Sequence, residues 1–142
     1  MNNGYLLDTH ILIWLLKDDR KSLDSNIWED IEYFQHPYSV SVESIREIVI
    51  LQCLKKIQLD YDVNKIIDFL ESIQVNILPI EVSHIKVLEK LPQLTINGKK
   101  HEDPFDRMLI SQAIAGKYTI VSSDSKFPFY KEHGLRLLVN DR

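Results

Sequence analysis

Four acidic residues occupy positions from which they could share one cleft: Asp8, Glu47, Asp106 and Asp124. Asp8 directly follows the apolar triplet Tyr5-Leu6-Leu7, and Asp124 follows Ile120-Val121-Ser122-Ser123. Asp106 sits in His101-Glu102-Asp103-Pro104-Phe105-Asp106-Arg107, which crowds two aspartates, a histidine and an arginine around one proline. Carboxylates gathered in one cleft repel and raise each other's pKa unless a cation joins them. Their hard oxygens select Mg²⁺ or Mn²⁺ over Zn²⁺, and no Cys/His set competes for zinc. Such an ion polarises a phosphoryl oxygen and acidifies a bound water, and two ions about 3.5–4 Å apart could clamp an in-line displacement. Each residue also has an ordinary explanation. Asp8 between a strand and a helix reads as a cap, Asp103 and Asp106 at i and i+3 resemble a capping box, Glu47 alone reads as a solvated helix residue, and Asp124-Ser125 as a turn. The case for a site lies in their joint placement.

The elements that must position these groups follow from periodicity and punctuation. Residues 5–7 read as a short buried strand, and Thr9 as the cap of a helix over 11–16 that carries Trp14 on its apolar side. A charged loop at 17–21 precedes a helix over 23–34, marked by Leu23, Ile27, Ile31 and Phe34. A strand over 38–42 leads into a longer helix over 42–56, with Ile45, Ile48, Val49 and Leu51 on its buried face. Another helix spans 63–73, a strand 75–80 and a helix 83–91. Residues 92–100 read as a loop with a turn at Asn97-Gly98. Pro104 suits the first position of a helix that runs to about Ala115 and is capped by Gly116. A strand over 118–121, a short helix near 127–132 ending at Gly134, and a fifth strand over 135–139 complete the chain. Strands alternating with helices predict an α/β domain: a central, mainly parallel sheet of about four or five strands flanked by helices. Ligands of such sheets bind at the carboxyl ends of strands, near a switch in strand order. Asp8 and Asp124 can converge there, Glu47 can project from its helix to the same edge, and Asp106 joins them if its helix starts at that edge.

The 142 residues, 44% of them hydrophobic, suit one domain over 1–142 with room for a sizeable core. There is no composition break, low-complexity run or repeat. The longest apolar runs, 48–51 and 11–16, fall short of the roughly 20 residues of a membrane span, and no signal-peptide pattern opens the chain. The single cysteine, Cys53, lies in an apolar helical stretch and reads as core packing; one thiol forms no internal disulfide, so a cytoplasmic location is expected. A net charge of −4 argues against non-specific nucleic-acid binding through a wholly basic surface. It leaves a phosphodiester substrate open, because bound divalent cations reverse the sign of an acidic pocket.

Leu6-Leu7-Asp8-Thr9-His10 with Trp14 resembles the opening of PIN-domain proteins, in particular the VapC-type toxins of toxin–antitoxin pairs. Ser41-x-x-Ser44-x-x-Glu47-Ile48 is similar to that family's second acidic block. His101-x-Asp103-Pro104-Phe105-Asp106-Arg107-x-Leu109-Ile110-x-Gln112-Ala113 resembles its most distinctive string, and Ile120-Val121-Ser122-Ser123-Asp124-x-x-Phe127-x-x-Tyr130 its fourth block. The blocks stand in family order and reach Tyr130, so the likeness covers nearly the whole chain.

This resemblance implies a PIN-like fold and a metal-dependent endoribonuclease. It makes Asp8, Glu47, Asp106 and Asp124 both the catalytic and the metal-ligating set, with Mg²⁺ or Mn²⁺ as cofactor. It also implies an RNA substrate, a cognate antitoxin whose tail fills the cleft region, and a homodimer. Glu43 shares a helix face with Glu47, but the family spacing picks Glu47. Asp103 is placed as a neighbour of the site. Thr9 and Ser122 are placed either against an acidic ligand or against backbone. His10 and His101 are given structural or supporting roles, and Arg107 an internal ion pair. Lys99 and Lys100 are candidate RNA-backbone contacts or a solvated loop, and Glu102 stands where a basic residue is often found. Trp14 and Trp28 read as core or partner surface. Two other functions remain open. One is a phosphatase or phosphotransferase with Asp8 as nucleophile, although the haloacid-dehalogenase type would want an aspartate where His10 stands. The other is a PIN-like binding module without catalysis.

Overall fold

The computed structural model describes residues 3–141. Its first strand, β1 (Tyr5–Leu7), places Leu6 and Leu7 on opposite faces, and both are fully buried. A strand apolar on both sides belongs in the middle of a sheet covered by helices. It lies there, in a five-stranded sheet of order β3-β2-β1-β6-β7 in which every pairing is parallel. The partners are β2 (Tyr38–Ser41), β3 (Asn76–Leu78), β6 (Thr119–Ser122) and β7 (Arg136–Val139). One face packs Leu7, Val40 and Val121 against α1 (Thr9–Leu16), α2 (Ser25–Glu32), α3 (Val42–Cys53) and α4 (Val63–Ser72). The other packs Leu6 and Ile120 against α6 (Pro104–Gly116) and a 3-10 helix (Phe127–His133), with α5 (Val82–Lys90) alongside α6. No helix among the described residues is long and apolar enough to cross a membrane.

The chain builds outward from β1 to β2 and β3, then returns to add β6 and β7 on the other side of β1. The strand order therefore reverses between β1 and β6, and the carboxyl ends of those strands flank the crevice where open α/β sheets bind ligands. Asp8 is the residue after β1, and its backbone N–H donates to Val121 O at 3.1 Å, so it is hydrogen-bonded to the strand across that crevice.

Several expected details differ. Residues 92–100 contain a small antiparallel hairpin, β4 (Thr95–Ile96) and β5 (Lys99–Lys100). Its turn, Asn97-Gly98, has φ of 54° and 81°, the doubly positive backbone that matches hairpin twist and that Asn-Gly tolerates best. Asp8, not Thr9, caps α1, because its carboxylate is one residue better placed to accept the Ile11 N–H at 2.9 Å. The third strand is only Asn76–Leu78, and α2 begins after the Asp24 cap rather than at Leu23. Cys53 ends α3 and is exposed rather than packed in the core. The left-handed cap of α6 is Lys117, at φ 58°, while Gly116 still belongs to the helix. Gly116 is small for another reason: a Cβ there would lie 2.5 Å from the Tyr118 ring.

Candidate metal centre

Asp8 is 5% exposed, and both carboxylate oxygens are engaged. Oδ1 accepts the Ile11 N–H, and Oδ2 accepts the hydroxyl of Ser122 at the end of β6. Burial pushes its pKa up to about 6 against the opposing pull of those hydrogen bonds, with the field of Asp124 adding to the rise. Ser122 Oγ in turn accepts the Asp124 N–H at 2.9 Å, so one hydroxyl joins the two aspartates across the switch point. Asp124 accepts the Lys126 N–H at 2.9 Å, and Lys126 Nζ lies 3.4 Å from it.

Glu47 lies in the second turn of α3. Thr9 Oγ1, the first residue of α1, donates to Glu47 Oε1 at 2.7 Å and lies 3.1 Å from Ser44 Oγ. Burial raises the Glu47 carboxyl, and Asp103 and Glu43 add repulsion. Asp106 is in the first turn of α6, whose N-terminus is capped by Asp103 accepting the N–H groups of Phe105 and Asp106 at 2.9 and 3.1 Å. Its pKa is also pushed up to about 6, first by burial and then by the fields of Asp103 and Asp124; the His101 hydrogen bond at 3.0 Å opposes the rise.

The four predicted carboxylates thus border one electrostatic region: Asp8 feels Asp124, Asp106 feels Asp103 and Asp124, and Glu47 feels Asp103. They are not drawn into a ready-made shell, since among the described residues no group of three His, Cys, Asp or Glu could hold a metal as it stands. The reason is local. Oxygens of Asp8, Glu47 and Asp106 are committed to hydrogen-bond donors, and mutual repulsion opposes closer approach. No ion pair reaches Asp8 or Glu47 among the described residues. Hard oxygen donors of which three, Asp8, Glu47 and Asp106, are desolvated with raised pKa values would suit a divalent cation such as Mg²⁺ or Mn²⁺.

The remaining expected residues sort clearly. Thr9 and Ser122 both touch acidic side chains, the less bland of their two readings. Asp103 serves as the helix cap. Lys99 and Lys100 are exposed on the hairpin immediately before buried His101. Arg107 makes no ion pair among the described residues: its guanidinium donates to the Leu91 and Pro92 carbonyls at 3.0 and 3.1 Å and reaches Tyr130 Oη at 3.5 Å. Asp103 points back to cap its own helix, which leaves Arg107 to satisfy the end of α5. His10 is exposed on the rim and lends a favourable field to Asp8 and Glu47. Trp28 is core, with Arg20 lying 3.8 Å over its ring, and Trp14 packs partly against the same core. Two partners escape a residue-by-residue reading: Tyr130, which meets His101, and Phe105, whose ring faces Arg46 at 5.1 Å. Grooves also lie away from these residues: one of about 610 Å³ between 34–38 and 71–76, and one of about 510 Å³ whose lining includes Asp24, Glu29 and Asp30.

Fold and site together define a parallel α/β domain with acidic side chains at the carboxyl edge of its sheet. The PIN domain family model matches residues 5–133, and the chain belongs to that family. The fold is similar to a chain in the crystal structure of VapBC2 from Rickettsia felis bound to a DNA fragment from their promoter. That likeness has TM-score 0.68 and 18% identity, covering 97% of this chain and 99% of that one. It is also similar to a chain in the DNA-bound VapBC of Salmonella typhimurium, with TM-score 0.64 and 12% identity, covering 99% and 100%. No curated protein matches the chain.

Proposed function

We propose that this protein is a Mg²⁺- or Mn²⁺-dependent endoribonuclease that acts as the toxin of a toxin–antitoxin pair. The observation that carries the reading is the set Asp8, Glu47, Asp106 and Asp124 around the β1/β6 switch point, with burial raising the pKa of the first three. Bound there, a divalent cation would polarise a phosphoryl oxygen and acidify a water for attack on a phosphodiester. The chain's own contribution is positional. Ser122 holds Asp8 and the Asp124 backbone, Thr9 holds Glu47, and the α6 cap holds Asp106 at the rim. Likeness to two VapBC structures supports an antitoxin as partner. A homodimer and a cytoplasmic location complete the reading.

A phosphotransferase with Asp8 as nucleophile is disfavoured by geometry. Asp8 is 5% exposed, and exposed His10 stands where the haloacid-dehalogenase type would want its second aspartate. A binding module without catalysis would not need Asp8, Glu47 and Asp106 kept as carboxylates against the cost of their burial. The test is cleavage of total cellular RNA with mapped ends, with Mg²⁺ or EDTA, wild type beside Asp106→Asn. Metal-dependent ends that fall at least about 100-fold in the variant are expected. Equal cleavage by both proteins would overturn the assignment.

A further inference from the structure

Behind Asp106 lies a chain of buried polar groups that hydrolysis does not require as reactants. His101 is 4% exposed, and Tyr130 is fully buried. His101 Nε2 is 3.0 Å from Asp106 Oδ2, and its Nδ1 is 2.7 Å from Tyr130 Oη. Arg107 Nη1 reaches the same Tyr130 oxygen at 3.5 Å. The arginine is itself fixed by the Leu91 and Pro92 carbonyls. Backbone bonds hold His101 as well: its N–H donates to Leu94 O at 2.9 Å, and its carbonyl accepts from Gln93 Nε2 at 2.9 Å.

The direction of the protons follows from the two ends. Arginine has only donors, and an ionised aspartate has only acceptors. Asp106 therefore requires a proton on Nε2. Tyr130 accepts from Arg107, and among the described residues its own proton has one acceptor within reach, His101 Nδ1. A doubly protonated imidazole, or one carrying its proton on Nδ1, would leave the Tyr130 hydroxyl proton without a partner in a fully buried place, which is costly. We propose that Arg107, Tyr130 and His101 form a one-directional positioning relay that locks His101 as the Nε2–H tautomer and so aims the Asp106 carboxylate, with Oδ1 left for a ligand. His101 then acts through Asp106, and with both nitrogens consumed it is no general acid or base. The relay's meaning for ligand binding rests on the metal-nuclease reading; its proton arrangement does not. Partners behind a ligating carboxylate set its orientation, and removing them commonly weakens metal affinity about 10–100-fold.

Long-range ¹H–¹⁵N correlation spectra of the metal-free protein at pH 7.5 read the tautomer directly, with His101→Gln identifying the signal among five histidines. The expected wild-type pattern is Nε2–H, giving way to mixed tautomers in Tyr130→Phe, which keeps the ring and loses only the hydroxyl. Mn²⁺ titration should show affinity about 10-fold weaker in His101→Leu, several-fold weaker in Tyr130→Phe and within about 2-fold of wild type in His101→Gln, whose amide can still donate to Asp106. A wild-type imidazolium or Nδ1–H form would overturn the relay. So would a folded Tyr130→Phe with unchanged tautomer and unchanged Mn²⁺ affinity. Wild-type protein that binds no Mn²⁺ yet shows the Nε2–H form, lost in Tyr130→Phe, would support the relay and overturn the nuclease reading instead.

Discussion

Asp8 works against the stability of the metal-free fold. Its pKa is about 6 in the folded state against 3.8 for the free side chain, so the folded protein holds that proton more tightly. The sign follows by linkage: stability is greatest when Asp8 is protonated, declines as pH rises from about 4 through 6, and is flat above. A shift of about two units corresponds to roughly 3 kcal/mol, an upper figure because metal-free sites relax. Asp8→Asn keeps an oxygen for the Ile11 N–H and offers an N–H to Ser122, while removing the buried charge. In EDTA at pH 7.5 the variant should therefore melt several degrees above wild type, and the gap should close towards pH 4. Millimolar Mg²⁺ should raise the wild-type Tm and leave that of the variant unmoved. A variant less stable than wild type at pH 7.5 in EDTA would contradict this account.

At the scale of the element, α6 separates two roles that share one sequence string. Asp103 accepts two N–H groups at its start, and Asp106, in the first turn, meets His101 and the field of Asp124. Removing a capping carboxylate costs about 1 kcal/mol, and an asparagine or serine recovers most of it. Asp103→Ala should lower stability by about that amount in chemical denaturation, with Asp103→Ser close to wild type. If Asp103 were instead a metal ligand, Asp103→Ser would lose Mn²⁺ affinity as severely as Asp106→Asn. The helix was legible in the sequence because Asp103-Pro104 is a strong start signal and apolar spacing runs through Leu109, Ile110 and Ala113. Its end was less so: the left-handed residue is Lys117, and Gly116 is small because the Tyr118 ring passes beside it, a contact invisible to local rules. Cys53 failed similarly, since an apolar neighbourhood in sequence does not say which side of a helix end meets the core. Asp8 and Asp124 could be placed from the sequence because strand ends position them, and Asp106 because a helix start does, whereas Tyr130 and Arg107 reach Asp106 through side-chain paths that periodicity does not encode.

At the scale of the molecule, a chain of net charge −4 must still attract a polyanion if the nuclease reading is right. The four carboxylates repel a phosphate and Lys126 offsets only Asp124, so attraction has to come from bound cations and from positive groups on the approaches. Lys99 and Lys100 are placed for this, exposed on a hairpin whose following residue, His101, hydrogen-bonds Asp106. The hairpin is set by the Asn97-Gly98 turn and by backbone pairing, neither of which uses the lysine side chains. Lys99→Ala/Lys100→Ala should therefore fold normally and keep its kcat, because the carboxylates are untouched. Substrate capture should change. Two lost phosphate contacts to single-stranded RNA reduce the slope of log KM against log salt by about 1.4, since each contact contributes roughly 0.7. KM at low salt should rise severalfold and converge on the wild-type value as salt increases, because screening removes what the lysines supplied. Steady-state cleavage at four salt concentrations decides the matter. Equal slopes for both proteins would make the pair an ordinary solvated turn and move the search for RNA contacts to the Arg46–Phe105 rim.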